Sequence, residues 1–226
     1  MSFSQLLFVN DGVIEGRDKF CKAIQYGSRI LKWYLDGKNS DLQGRFAGLF
    51  ENMKTARKLF RLFKSVNEYQ KLQDILQKDG LTQIDMLEAA ARVSFLLYWI
   101  FDNLSVLSSV KFIHLDAKQM NKYGSFWWFV ALCLGQAISI LKLAELAGEE
   151  AQIRKREKSD ETRKALQQVQ LKRFAEFLNI IKQAGDMVTS SQAIELPNKF
   201  GFTFNEGQIG LGGFVSAVIT MYQLYP

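Results

Sequence analysis

Residues 53–71 read MKTARKLFRLFKSVNEYQK. With successive residues set 100° apart, Met53, Ala56, Leu59, Phe60, Leu62, Phe63 and Val66 share one half of a helical wheel, and Lys54, Arg57, Lys58, Arg61 and Lys64 occupy the other. No acidic residue falls between Glu51 and Glu68. A helix on the surface of a soluble protein mixes signs on its polar side and gains i,i+4 ion pairs. Here such pairs are open only at the ends. Periodicity alone suits a core-packing helix as well as one lying in a lipid leaflet, so the decision falls to the rest of the chain.

The chain has 226 residues and two prolines, Pro197 and Pro226. Long uninterrupted helices are therefore permitted over most of its length, and an all-α fold is the first expectation. Lysine and arginine exceed aspartate and glutamate by 29 to 23, which suits an anionic partner, either nucleic acid or an anionic lipid surface. Cys21 and Cys133 lie far apart in apolar settings and read as small buried hydrophobes, with no disulfide framework. The opening MSFSQLLFVNDGVIEGRDK lacks a basic start and a small-residue cleavage pattern, and the closing MYQLYP is not a Ser-Lys-Leu type address. Organelle targeting is thus expected to rest with internal segments.

Outward from the basic stretch, GRDKFCKAIQYGSRILKWYL (residues 16–35) places Phe20, Ala23, Ile24, Gly27, Ile30, Leu31, Trp33 and Tyr34 mostly on one side of an amphipathic helix. The apolar segment 93–113 carries Asp102 and Asn103 in its middle, so it reads as a packed helix, an interfacial hairpin or a compromised span. Residues 126–141, FWWFVALCLGQAISIL, form a short span with Trp127 and Trp128 for one interface and Lys142 to snorkel at the other. The region 142–206 is charged with mixed signs and reads as a loop holding a solvated helix, with Leu166, Val169, Phe174, Phe177, Leu178 and Ile181 on one side. Residues 207–225 form a second span. In it, Gly212 with Ser216 and Gly213 with Ala217 sit at the four-residue spacing that lets helices approach closely.

Catalytic chemistry has little to work with. His114 is the single histidine, and no Cys, Asp or Glu pattern around it has metal-ligand spacing. The glycines of GQIGLGG (residues 207–213) lack the order and the βαβ context of a dinucleotide site. A non-enzyme without metal or cofactor is expected. Nucleic-acid binding is also disfavoured, because Phe60 and Phe63 lie opposite the basic face, where they cannot stack on bases.

Four elements in order carry a resemblance: GRDKFCKAIQYGSRIL near the amino end, the basic helix TARKLFRLFKSV, the aromatic-rich LLYWIFDNLSVLSSV, and the Gly-rich carboxyl-terminal span. Together they cover most of the chain and resemble the peroxin-eleven family of peroxisomal membrane proteins. The resemblance implies a multi-pass protein with both termini cytosolic, which elongates the peroxisomal membrane before division. It also implies self-association into a homo-oligomer and cooperation with a dynamin-type GTPase and its tail-anchored adaptors. In the family the amphipathic helix enters one leaflet. Carried onto this chain, Met53, Ala56, Leu59, Phe60, Leu62, Phe63 and Val66 form the inserting face, and Lys54, Arg57, Lys58, Arg61 and Lys64 bind the headgroups of an anionic phospholipid membrane.

The expected organisation is therefore an all-α integral membrane protein with amphipathic interfacial helices. Residues 1–88 form a cytosolic amphipathic region with an inserting helix at 53–67, and residues 89–226 a membrane-associated region. Two spans put both chain ends on one side, and place the basic segment 142–206 on the other. If 93–113 also crosses, a fourth and less apolar crossing is needed to restore parity. The alternative function, also proposed for some family members, is a pore for small metabolites, with Asp102, Asn103 and Gln136 along a bundle interior.

Overall fold

The computed structural model describes residues 11–156 and 159–224. Among them are seven α-helices: α1 (Asp11–Tyr34), α2 (Ser40–Phe60), α3 (Lys64–Leu76), α4 (Gln83–Ser109), α5 (Ala117–Arg154), α6 (Asp160–Ala193) and α7 (Glu206–Leu224), with a 3-10 turn at Pro197–Phe200. The fold is all-α. Local sequence sets the helix starts, because each of four helices has a side chain that accepts an otherwise unpaired backbone N–H in its first turn. Asn39 caps α2, Ser159 caps α6, and Asp116 accepts from both Lys118 and Gln119 at the start of α5. Thr82 and Asp85 form a reciprocal capping box on α4.

The stretch 53–71 is not one helix. Its first part completes α2, the chain turns at Arg61–Phe63 with Phe63 in the left-handed region (φ 63°), and α3 begins at Lys64. The helix expected at 53–67 is therefore two helices meeting at a bend, which aims Arg61 toward α4 while Lys64 returns toward α1.

The helices form a ring of antiparallel neighbours that the α2–α3 bend completes: α1 packs on α2, α3 on α4, α4 on α5, α5 on α6, α6 on α7, and α7 back on α1. Pairs along the seams fix the directions. Glu68 meets Arg92 between α3 and α4, and Glu88 meets Lys142 between α4 and α5. Lys122 meets Glu195 beside the α5–α6 seam, Gln183 lies against Gly135, and Arg29 meets Glu206 across α1–α7. Consequently the start of α1, the end of α7 and the α5–α6 tip share one end of the ring. Loops 35–39, 110–116 and 194–205 share the other.

This topology corrects two expectations. Region 142–206 is not a loop: it completes α5 and forms α6, whose second half packs back along the ring. The charged tip therefore lies at the same end as the described ends of α1 and α7, where two spans alone had set it opposite. α6 carries an apolar side on which Phe174 and Phe177 are exposed. Segment 93–113 is the second part of α4 up to Ser109, followed by the turn to α5. Among the described residues one helix, α5, is long and apolar enough to cross a membrane, and it contains 126–141. The second expected span, 207–225, falls on α7 up to Leu224, but α7 is not long and apolar enough to be counted with α5; Tyr225 lies outside the described residues.

Polarity is inverted relative to a soluble bundle. The largest fully buried side chains are Asp18, Ser105, Ser190 and Ser216, whereas Leu59, Phe63, Ile100, Phe126, Ile140, Phe177, Leu211 and Val218 are exposed. In water such an exterior would favour aggregation.

Candidate functional site: a charged ring interior

The polar faces of the helices meet inside the ring around a cavity of about 820 Å³. On α1 the inward stripe is Asp18, Lys22, Gln25, Arg29 and Lys32, at offsets of 4, 7, 11 and 14 residues that repeat on one helical face. On α2 and α3 it is Lys54, Arg57, Lys58, Arg61 and Lys64, the basic side of the quoted stretch. Thirteen lysines and arginines line the cavity against nine aspartates and glutamates, so its potential is positive.

Buried ion pairs cross this interior. Arg57, 7% exposed, donates from Nε to Asp18 at 3.0 Å and from Nη1 to Gln25 at 2.7 Å. Lys22 donates to Asp186 of α6 at 2.6 Å and to Ser216 of α7 at 2.8 Å, joining three helices at one ammonium. Arg61 donates from Nη1 to Tyr98 at 3.1 Å, and Asp102 stands 3.5 Å from its Nη2, an ion pair too long for a direct hydrogen bond. The Tyr98 ring stacks on Trp128 of α5 at 5.6 Å, and Arg61 lies 5.7 Å from the centre of the Trp99 ring. These pairs are needed because isolated charge at such depth is costly; paired and hydrogen-bonded, it is tolerated.

The sequence-predicted residues fall as follows. Leu59 and Phe63 point outward with 61% and 59% exposure, and Val66 is also exposed, whereas Met53, Ala56, Phe60 and Leu62 are half-buried between neighbours. All five basic residues line the interior. Lys54 pairs with Glu51, Lys64 approaches Glu15 at 3.9 Å, and Lys58 has no carboxylate within ion-pair distance among the described residues. Asp102 reaches the cavity; Asn103 keeps a buried, unpartnered Oδ1, and Gln136 donates to the Ile180 carbonyl across α5–α6. Gly212 abuts Gly185 of α6 so closely that a Cβ there would lie 2.6 Å from the Gly185 carbonyl oxygen. Gly213 seats the Tyr26 ring of α1, Ser216 accepts from Lys22, and Ala217 is fully buried.

Sequence reasoning missed Asp18, Lys22, Gln25 and Asp186. The signal for Asp18, Lys22 and Gln25 was the α1 polar stripe, which matches the basic stripe of α2 in period; Asp186 lies on α6, outside that stripe. Had the two polar faces been matched to each other, an interior rather than a surface would have followed.

An apolar exterior wrapped around a charged interior defines a helical membrane protein, since only a hydrocarbon surround makes that arrangement stable. The family model described as Peroxisomal biogenesis factor 11 (PEX11) matches residues 11–225. The chain belongs to that family. Among its relatives, a Peroxisomal membrane protein 11 homolog of Dictyostelium discoideum is 23% identical over 93% of this chain and 90% of that protein. Peroxisomal membrane protein 11C of Arabidopsis thaliana is 29% identical over 94% and 88%, and Peroxisomal membrane protein 11A of Bos taurus is 25% identical over 90% and 89%. No solved structure matches the chain. Family membership makes it a peroxisomal membrane protein of the proliferation machinery.

Proposed function

We propose that the chain elongates and tubulates the peroxisomal membrane as an embedded, asymmetric insert rather than as a catalyst. One observation carries the reading: Leu59 and Phe63 flank the α2–α3 bend on the outside of the ring, while Arg57, Lys58, Arg61 and Lys64 of the same stretch line its cavity. Burying two such side chains in hydrocarbon contributes roughly 1.5–3 kcal/mol each. Wedges of this kind expand one leaflet and favour tubules. In this reading all ring elements are immersed, the chain is multi-pass, and both ends lie with the α5–α6 tip on the cytosolic side. Contact of Lys54, Arg57, Lys58, Arg61 and Lys64 with anionic headgroups requires α2 and α3 to swing out of the ring, so closure and headgroup binding are alternative states of one helix pair. Self-association then uses a surface other than Gly212, Gly213, Ser216 and Ala217, which are occupied by α1 and α6. Adaptors and a dynamin-type GTPase complete the division step.

The test is reconstitution of the full chain in giant liposomes. Wild-type protein is expected to draw tubules, and the Leu59→Glu/Phe63→Glu double variant at equal insertion is expected to leave vesicles round. Equal tubulation by both would end the wedge reading.

A second reading, passage of small solutes, is supported by the cavity itself, because its lining runs from Glu88, Lys142 and Glu176 near one end to Arg29, Lys32 and Glu206 near the other. Purified full chain in planar bilayers is expected to conduct; silent bilayers at verified insertion count against passage.

A further inference from the structure

The ion pairs inside the ring are not equally complete. Asp18 and Asp186 each accept a direct hydrogen bond from a cation, at 3.0 and 2.6 Å. Arg61 and Asp102 do not meet in this way. The Arg61 Nε donor is buried with no acceptor, and the Asp102 Oδ2 acceptor is buried with no donor. Three residues before Arg61, on the same inward face, stands Lys58, which has no carboxylate within ion-pair distance among the described residues. Arg61 thus lines a roomy polar cavity with its hydrogen-bonding capacity incompletely met by the protein, and Lys58 lines the same cavity beside it.

We propose that Arg61 and Lys58 form an anion-binding subsite within the cavity, which takes the oxyanion group, phosphate or carboxylate, of a small water-soluble solute. The proposal rests on the solute-passage reading and adds to it the class of solute. Guanidinium and ammonium on one face supply the mixed donor set that oxyanions accept well. The surplus of cations over carboxylates around the cavity draws anions in. Asp102 is the nearest counter-ion: at 3.5 Å from Arg61 Nη2 it holds the guanidinium loosely at the cavity wall, so an entering oxyanion competes with it for the same group. The cavity, at about 820 Å³, is large enough to hold a metabolite-sized solute behind that oxyanion. The ring seams separate this subsite from the exterior on which Leu59 and Phe63 lie, which favours a solute from water over a lipid headgroup.

The experiment uses the full chain in nanodiscs of neutral phosphatidylcholine, titrated with inorganic phosphate by calorimetry. Saturable binding is expected, weakened about tenfold in Lys58→Gln by loss of one charge-assisted contact and tightened in Asp102→Asn by loss of the competing carboxylate. Lys58 has no ion-pair partner to strand, so its variant is expected to fold as the parent does. Absence of saturable binding, or equal affinity in parent and Lys58→Gln, would overturn the subsite. A parallel arm omits phosphate and adds phosphatidic acid to the discs, with bound lipid read by native mass spectrometry. Lys58-dependent retention of phosphatidic acid without phosphate binding would overturn the water-soluble class in favour of a headgroup. Planar-bilayer conductance separates the two readings: conductance without phosphate binding removes the subsite and leaves passage, and phosphate binding in a protein that gives silent bilayers removes passage and leaves the subsite.

Discussion

Arg57→Leu is the substitution that most directly asks whether the basic stripe belongs to the interior. Arg57 and Asp18 are 7% and 1% exposed, and the guanidinium satisfies both Asp18 and Gln25. Removing it leaves a buried carboxylate whose nearest remaining cation is Lys19, at 3.5 Å. Breaking a buried pair by deleting one partner costs about 3–5 kcal/mol, and the Lys19 contact places the expected loss near the lower end of that range. Adding Asp18→Asn removes the stranded charge, so the double variant is expected to recover about 2 kcal/mol of the single loss. The assay is equilibrium unfolding of the full chain in mixed micelles, run as a double-mutant cycle. If Arg57→Leu costs less than about 1 kcal/mol, the typical ceiling for an exposed pair, or if the two changes simply add, the residue does not sit in a closed ring and the interior assignment fails.

Gly212→Ala forces a Cβ to 2.6 Å from the Gly185 carbonyl oxygen and should cost about 1–3 kcal/mol, whereas Gly148→Ala, with open space around it in α5, should gain about 0.5–1 kcal/mol; micelle unfolding compares the two. At the α5–α6 tip, hydrogen bonds from Arg154 and Arg173 hold the Glu150 carboxyl below its ordinary value of 4.5. A lowered carboxyl contributes stability that is full above the ordinary range and is lost as pH falls through the lowered value, so hydrogen exchange near residue 150 should rise on acidification, and Glu150→Gln should lack that rise. Cys133 is exposed on α5, so in proteoliposomes an impermeant maleimide should label it slowly, and after denaturation rapidly; fast labelling in the intact membrane would mean that this face meets water.

Much of the fold was legible because helix-forming signals are local. The scarcity of proline and the periodicity of 16–35 and 53–71 foretold the helices, and Asn39, Thr82, Asp116 and Ser159 fix their starts. The bend at Phe63 was not legible, since TARKLFRLFKSV holds neither glycine nor proline and a phenylalanine at φ 63° is held by its surroundings. Nor was the return of α6. Hydropathy averages over a whole helix, and α6 alternates Phe174, Phe177 and Ile181 with Lys182, Gln183 and Asp186, which face the cavity. Window averages rank such a helix as soluble, although each of its two faces has a suitable neighbour. The interior site was half-legible for the same reason: Lys54 to Lys64 were visible as a set, but their partners Asp18, Tyr98 and Asp102 are brought to them by closure of the ring.

That closure bears on how remodelling and passage relate. A basic amphipathic helix on a membrane gains from headgroups about 1 kcal/mol per cation, whereas inside the ring Arg57 and Arg61 are matched to Asp18 and Asp102, contacts that hold α2 and α3 away from the headgroup layer. Both sets of contacts cannot be made at once, so conditions that strengthen one weaken the other. Anionic lipid should draw α2 and α3 outward, and a bound solute anion at Arg61 and Lys58 should hold them in. Because linkage is reciprocal, raising anionic lipid should lower the affinity for phosphate by the factor by which phosphate lowers headgroup binding. Calorimetric titrations across nanodiscs of rising anionic content measure one side of that equality, and salt-dependent liposome binding at fixed phosphate measures the other. Phosphate affinity unchanged across lipid compositions would mean that the ring stays closed while the membrane is remodelled, leaving the outward apolar face of Leu59 and Phe63 as the whole of the wedge.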